Sequence, residues 1–243
     1  MDETLALYQH IIGTLLAAVP VTLVLTILSA IIGNSLAVPV AIARNSKNPI
    51  LWVPSATYIF VMRGTPLLAQ TYLIYYGIGE MLPGTWIQKS FLWPYLRDGF
   101  WYAIFAFSLN TAGYTGEILR GAMAAVPKGE IEAAKAYGMS SRLIFWRVLL
   151  PRAVQICLPT MTGETILLLK ATSLASLVTV WEIMGTARQI QKVTFRVYEP
   201  LLVAAVIYIV LVFILTRILN QVERRINRHR LAPADLAVLP SMH

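Results

Sequence analysis

The sequence predicts an all-α integral membrane protein of about five transmembrane helices, and three observations carry that prediction. Apolar residues make up 57% and charged residues 13% of 243 positions, so a water-soluble globule of this composition would leave far too much apolar surface wet. From Ile11 to Ala43 no charged residue occurs across 33 positions, more than the roughly 20 that cross a bilayer as helix. The basic residues behind the net charge of +8 sit in short segments between apolar runs and after the last one. They read as membrane topology rather than as a nucleic-acid surface.

Taken in order, residues 1–18 form an interfacial N-terminal segment, because the first apolar run is too long for a single crossing. Asp2 and Glu3 replace the basic start of a cleaved signal peptide. A first span covers about 19–43, with Pro20 in an early turn and Pro39 an expected kink. Arg44 to Pro49 is a short basic turn, cytoplasmic by the positive-inside rule. Ile50 to Met62 then makes a helix near the cytoplasmic side, and Gly64 to Leu82 the second span. The break Arg63-Gly64-Thr65-Pro66 between them frees backbone groups that can face a cavity. Arg63 there is either a substrate contact or a cation reaching for the interface.

Glu80 to Asp98, with Pro83, Gly84, Trp86, Trp93 and Pro94, fits an external loop with interfacial aromatics. The third span, about 100–119, carries Asn110, Tyr114 and Glu117 four and three residues apart, hence on one helix face. The fourth, about 153–181, is read as interrupted at Pro159 and Gly163 and carries Glu164 and Lys170. Glu182 to Glu199 is polar and mixed in sign, which predicts an external excursion. A fifth span at about 200–217 closes a transmembrane domain of 19–222, and 223–243 is a basic tail. Thirteen basic residues fall in the segments so read as cytoplasmic and five in the external ones. That asymmetry places the N-terminus outside and the C-terminus inside.

The polar stretch 127–151, PKGEIEAAKAYGMSSRLIFWRVLLP, reads as helix, turn, helix. Glu130 to Tyr137 is rich in helix formers, Gly138 stands where a left-handed cap belongs, and Ser140 or Ser141 can cap the next helix. Pro151 marks a further break. Ala133, Ala134 and Ala136 give the first helix a thin side that another protein's surface could approach closely.

Glu132-Ala133-Ala134, three residues, Gly138, nine residues, then Val148-x-Leu150-Pro151 resembles the EAA loop of the membrane subunits of bacterial ABC importers, with Val148 where the family usually has Ile. RGTPLLAQ, Arg63 to Gln70, and NTAGYTGEI, Asn110 to Ile118, resemble the polar amino acid branch, with Gly113 and Gly116 where Ala is usual. Those glycines are expected to loosen the helix. The resemblance runs from about Val19 to Arg225. It implies the type I importer permease fold in the bacterial inner membrane, with a second permease subunit, an ABC ATPase dimer beneath and a periplasmic substrate-binding protein. It also implies an amino acid substrate of the histidine, arginine, lysine, ornithine or opine kind. Glu132, Ala133, Ala134, Gly138, Leu150 and Pro151 would then couple the permease to the ATPase.

The chain has no G-x-x-x-x-G-K-[ST] phosphate cradle and no Gly-Lys pair. ATP and Mg therefore belong to the partner, and this chain is expected to bind no cofactor. No H-E-x-x-H, CxxC or G-x-S-x-G motif suggests catalysis or a metal site, and one cysteine cannot make an internal disulfide. An ion-coupled transporter or channel is the alternative class, and would leave the EAA loop without a role.

Charged residues inside spans point to function. By helical rise, Asn110 and Glu164 lie near the middle of the membrane and Glu117 near its cytoplasmic end, beside Arg120 or Arg63. Glu164, Asn110 and Tyr114 are the candidate substrate path, with Glu117, Thr65 and Arg63 along it. Glu164 either offers its carboxylate to a cationic amino acid or bonds to backbone freed at Pro159 and Gly163.

Overall fold

The computed structural model describes residues 2–81 and 89–227. Pro83, Gly84 and Trp86 of the expected external loop, and residues 228–243 of the expected tail, lie outside that set. Among the described residues the secondary structure is helical, with no strand.

Helix α1, Asp2–Arg44, is 43 residues long, about 64 Å at the α-helical rise and roughly twice the thickness of a bilayer's hydrocarbon core. It passes through Pro20 and Pro39 without interruption. Composition separates an interfacial start from a span; in the structure one continuous helix runs through both, and its third and fourth turns are held by protein. Ile11 and Leu15 are fully buried and pack with Ile183, Ala187, Ile190, Ala204 and Ile207.

Helix α2, Pro49–Gly64, starts with Asn48 accepting from the Ile50 amide at 3.0 Å. After the Thr65-Pro66 break, α3 runs Leu67–Tyr72, widens into a π-turn at Leu73–Gly77 and ends at Ile78–Met81. A short α4, Trp93–Leu96, leads into α5, Gly99–Ala124, whose first turn is capped by Asp98 accepting from the Phe100 amide at 3.0 Å.

Helix α5 is the axis of the fold. Its small residues let neighbours close on it. A Cβ on Gly113 would lie 2.6 Å from the Met62 Cβ, and one on Gly116 2.8 Å from Val40 Cγ1. On the α1 side, a Cβ on Gly33 would meet Thr111 at 2.6 Å. The glycines expected to loosen α5 instead permit close helix packing, the use small residues have in membrane interiors. Phe107, Ala103 and Ala106 of α5 are fully buried and form the main core with Leu25, Leu168 and Val178.

Helix α6 spans Lys128–Ala136. Helix α7 begins at Ser141–Ile144, passes through a π-turn at Phe145–Leu149, continues as Leu150–Ala171 and ends in a 3₁₀ stretch, Thr172–Val178. Pro151, Pro159 and Gly163 do not break it. Pro151 stands two residues after the end of the π-turn, where the usual hydrogen-bond ladder is already shifted.

Helix α8, Ile183–Thr194, occupies most of the stretch predicted as an external excursion. Its apolar positions Ile183, Ala187 and Ile190 follow helical spacing and are buried. Glu182 is fully buried ahead of it and accepts from the Met184 and Gly185 amides at 2.9 and 2.8 Å. Helix α9, Tyr198–Ile226, turns Leu202, Val206, Ile209 and Phe213 outward.

By length and composition three helical stretches can cross a membrane: Leu5–Arg44, Ser141–Val178 and Tyr198–Ile226. Helix α5, at 26 residues, is long enough but is not among these three, and over half of its residues are buried.

Candidate functional site

The Gly64-Thr65-Pro66 break organises the site. Thr65 is extended, as a residue before proline must usually be, so α2 ends there with carbonyls exposed to capture. Gln70, one turn into α3 and buried, captures them. Its Nε2 donates to the Met62 carbonyl at 3.0 Å, the Thr65 carbonyl at 3.1 Å and Thr65 Oγ1 at 2.8 Å. Asn110 on α5 completes the seam, its Nδ2 donating to Gln70 Oε1 at 2.9 Å and to the Met62 carbonyl at 3.2 Å. The amide of Asn110 is thus spent on the break. Gln70 escapes notice in the sequence because it ends a motif in an otherwise apolar run, and only its distant partners show its role.

One helical turn beyond Asn110, the Tyr114 ring lies under the Arg63 guanidinium, 5.5 Å from ring centroid to Cζ. The Tyr114 hydroxyl donates to the Arg63 carbonyl at 3.5 Å. Tyr114 is a wall between two compartments. On one side is a cavity of about 200 Å³ lined by Asn110, Tyr114 and Glu164 with Leu67, Leu168 and Ala171. On the other is an open pocket of about 440 Å³ lined by Arg44, Arg63, Phe60, Tyr114 and Glu117.

The structure therefore brings Asn110, Tyr114 and Glu164 together from α5 and α7 and separates Glu117 from them. Glu117 is held by Arg120, with Nε and Nη2 at 2.8 and 2.7 Å from Oε1, and Arg44 Nε stands 4.0 Å from Oε2. Thr65 does not line the cavity and is joined to it only through Gln70 and Asn110. Glu164 is half-buried on the continuous helix of α7. Among the described residues no hydrogen-bond donor meets its carboxylate, and the backbone around Pro159 and Gly163 makes no bond to it. Its free acceptors, beside a tyrosine and an amide in an apolar cleft, can receive a cationic or ammonium group.

The second region is the loop 127–151. Pro127 precedes α6, and Glu130 on it pairs with Arg152 of α7 at 3.0 Å, fixing the loop to the helical body. Gly138 has φ +76°. Its amide bonds to the Lys135 carbonyl at 2.9 Å and the Met139 amide to the Ala134 carbonyl at 3.2 Å, the paired closure of a Schellman cap. Ser140 then caps α7 by accepting from the Leu143 amide at 3.4 Å.

The thin side of α6 is divided. Ala134 is buried against the body, whereas Glu132, Ala133, Ala136 and Tyr137 are exposed, Tyr137 at 89%. Leu150 is partly buried and Pro151 exposed at the far end of the loop. The face available to another protein is therefore carried by Glu132, Ala133 and Ala136, and Ala134 lies on the opposite side.

A bundle of long apolar helices around a small polar cavity, with a capped polar helix presented at one end, defines a membrane transport component. The chain belongs to the family described as binding-protein-dependent transport system inner membrane component, which matches residues 33–228. It is 42% identical over 227 residues to the octopine transport system permease protein OccM of Rhizobium radiobacter, covering 91% of each chain. It is 43% identical to the nopaline transport system permease protein NocM of Agrobacterium fabrum, covering 88% of each. With the histidine/lysine/arginine/ornithine transport system permease protein HisM of Escherichia coli K12 it shares 37% identity, over 89% of this chain and 90% of that one. Among solved structures it is similar to an amino acid ABC transporter crystallised with histidines, with TM-score 0.74 and 30% identity over 88% of this chain and 94% of that one. The chain is accordingly an inner-membrane permease subunit of a transport system, a non-enzymatic role.

Proposed function

We propose that this permease carries a polar amino acid or opine with a cationic group inward through the cavity at Glu164, in an importer driven by a separate ATPase. Five spans, an external N-terminus and a cytoplasmic C-terminus follow from the charge pattern. They put α6 in the cytoplasm, where its Glu132-Ala133-Ala136 face would sit on the ATPase dimer that holds ATP and Mg. A second permease, related or identical, would close the pathway, and a periplasmic binding protein would deliver the substrate.

The observation that carries this reading is the unpaired Glu164 carboxylate in a cavity shared with Asn110 and Tyr114. Its support from relatives is that the names of OccM, NocM and HisM specify octopine, nopaline and the basic amino acids. Asn110 and Thr65 shape the path by holding the Gly64-Pro66 break, and Tyr114 with Arg63 bounds it toward Glu117.

The test is the assembled complex in proteoliposomes with its binding protein, assayed for ATP hydrolysis and uptake across a panel of basic amino acids and opines. Ligand-stimulated hydrolysis with uptake in the wild type, and loss of uptake in Glu164→Gln with the ATPase still bound, is the expected result. Normal uptake by Glu164→Gln removes the pathway role. Gradient-driven uptake by this chain alone removes the importer reading altogether.

A further inference from the structure

At the end of the bundle opposite α6, an open pocket of about 460 Å³ is lined by Tyr75, Tyr76, Glu80, Leu96, Arg97 and Tyr102. Its position follows from α5, whose first residues stand beside the pocket and whose last lead into α6. The π-turn at Leu73–Gly77 carries both Tyr75 and Tyr76. Such turns cost a regular helix its hydrogen-bond register and recur at functional sites. Here the turn packs successive rings together, Tyr75 edge-on to Tyr76 at 4.9 Å and to Tyr102 at 5.4 Å between centroids. The Tyr102 hydroxyl is fixed on the Leu96 carbonyl at 2.8 Å, which locks the far wall.

Two opposite charges share this pocket. Glu80 and Arg97 are both exposed, and no salt bridge joins them. A carboxylate and a guanidinium that line one pocket without pairing, flanked by tyrosines of which Tyr76 is 57% exposed, match a zwitterion with a cationic side chain. Arg97 offers a fork for an α-carboxylate, and Glu80 with the tyrosine faces offers a seat for a guanidinium or ammonium group.

We infer that the tyrosine-walled pocket of Glu80 and Arg97 is a separate outer binding site for a cationic amino acid, where substrate would wait before passing to the Glu164 cavity. Its place in the sequence of transport rests on the function proposed above; the site itself does not.

A thiol placed at Leu96 reads the pocket directly, since the chain's one natural cysteine, Cys157, is 3% exposed. In the detergent-solubilised assembled complex carrying Leu96→Cys, millimolar L-arginine or L-lysine should slow modification by a small neutral methanethiosulfonate at least threefold. L-citrulline, whose side chain is uncharged, should not. Adding Glu80→Gln should abolish the protection, and Glu80→Asp should restore part of it. Equal rates with and without both cationic amino acids, or protection that survives Glu80→Gln, overturns the site. If protection behaves as expected while Glu164→Gln leaves uptake intact, the pathway reading falls and this site stands. If uptake follows the proposal but neither amino acid protects, this site falls alone.

Discussion

The Tyr208 hydroxyl of α9 donates a 2.6 Å hydrogen bond to Glu182 Oε2, a carboxylate with no solvent exposure. That carboxylate also receives the Met184 and Gly185 amides in the first turn of α8, and the Ile183 amide meets Thr22 Oγ1 of α1 at 3.3 Å. One acidic side chain thus joins the start of α8 to α9, beside a contact to α1, in a segment whose polar, mixed-charge composition predicts an external excursion.

Removing that carboxylate strands two amides and a hydroxyl. Glu182→Ala should therefore destabilise the protein by about 3 kcal/mol, and Tyr208→Phe, which deletes one bond of three, by about 1 kcal/mol. Unfolding of the purified protein in detergent measures both. Equal stability of Glu182→Ala and wild type would show that the junction is held by packing alone.

Gln70→Ala should cost about 2 kcal/mol, because the Thr65 carbonyl and hydroxyl lose their Gln70 partner while the Met62 carbonyl and the Asn110 amide are left only with each other. Asn110→Ala should cost less, since Gln70 keeps its bonds to Thr65. A double-mutant cycle on the two should be strongly non-additive. Additive losses would mean that the seam is not one network.

The two central alanines of the loop should behave oppositely. Ala133→Trp, on the exposed face, should leave the permease's own stability within about 0.5 kcal/mol of wild type but weaken retention of the ATPase on co-purification. Ala134→Trp, on the buried face, should destabilise the permease itself by about 1–3 kcal/mol through overpacking. A reversed pattern would turn α6 over.

Gly138→Ala should cost about 1 kcal/mol, because φ of +76° is strained for a residue with a Cβ even though nothing stands within 4 Å of that atom. Gly138→Asn should cost less, as asparagine tolerates the left-handed region better. Gly185→Ala is a different case: its Cβ would fall 2.2 Å from the Val180 carbonyl oxygen. It should be the more damaging of these two alanine changes in thermal unfolding.

What the sequence determined by itself is whatever depends on near neighbours. Long uncharged runs require helices in lipid, because a lipid-exposed backbone must satisfy its hydrogen bonds internally. The cap at Gly138, the break at Gly64-Thr65-Pro66, and Asn110 and Tyr114 sharing one helix face are likewise local consequences of backbone geometry. Glu164 was legible as a charge too costly to sit in a membrane without purpose. Tertiary structure alone decided which of these meet. Gln70 binds Asn110 across 40 residues, and Glu182 binds Tyr208 across 26. Tyr114 divides Glu164 from Glu117, and Ala134 faces inward while Ala133 faces out. Helical periodicity assigns a residue to a face but not that face to a neighbour, and the choice of neighbour is made by close packing along α5, where glycines admit one helix and larger side chains exclude another.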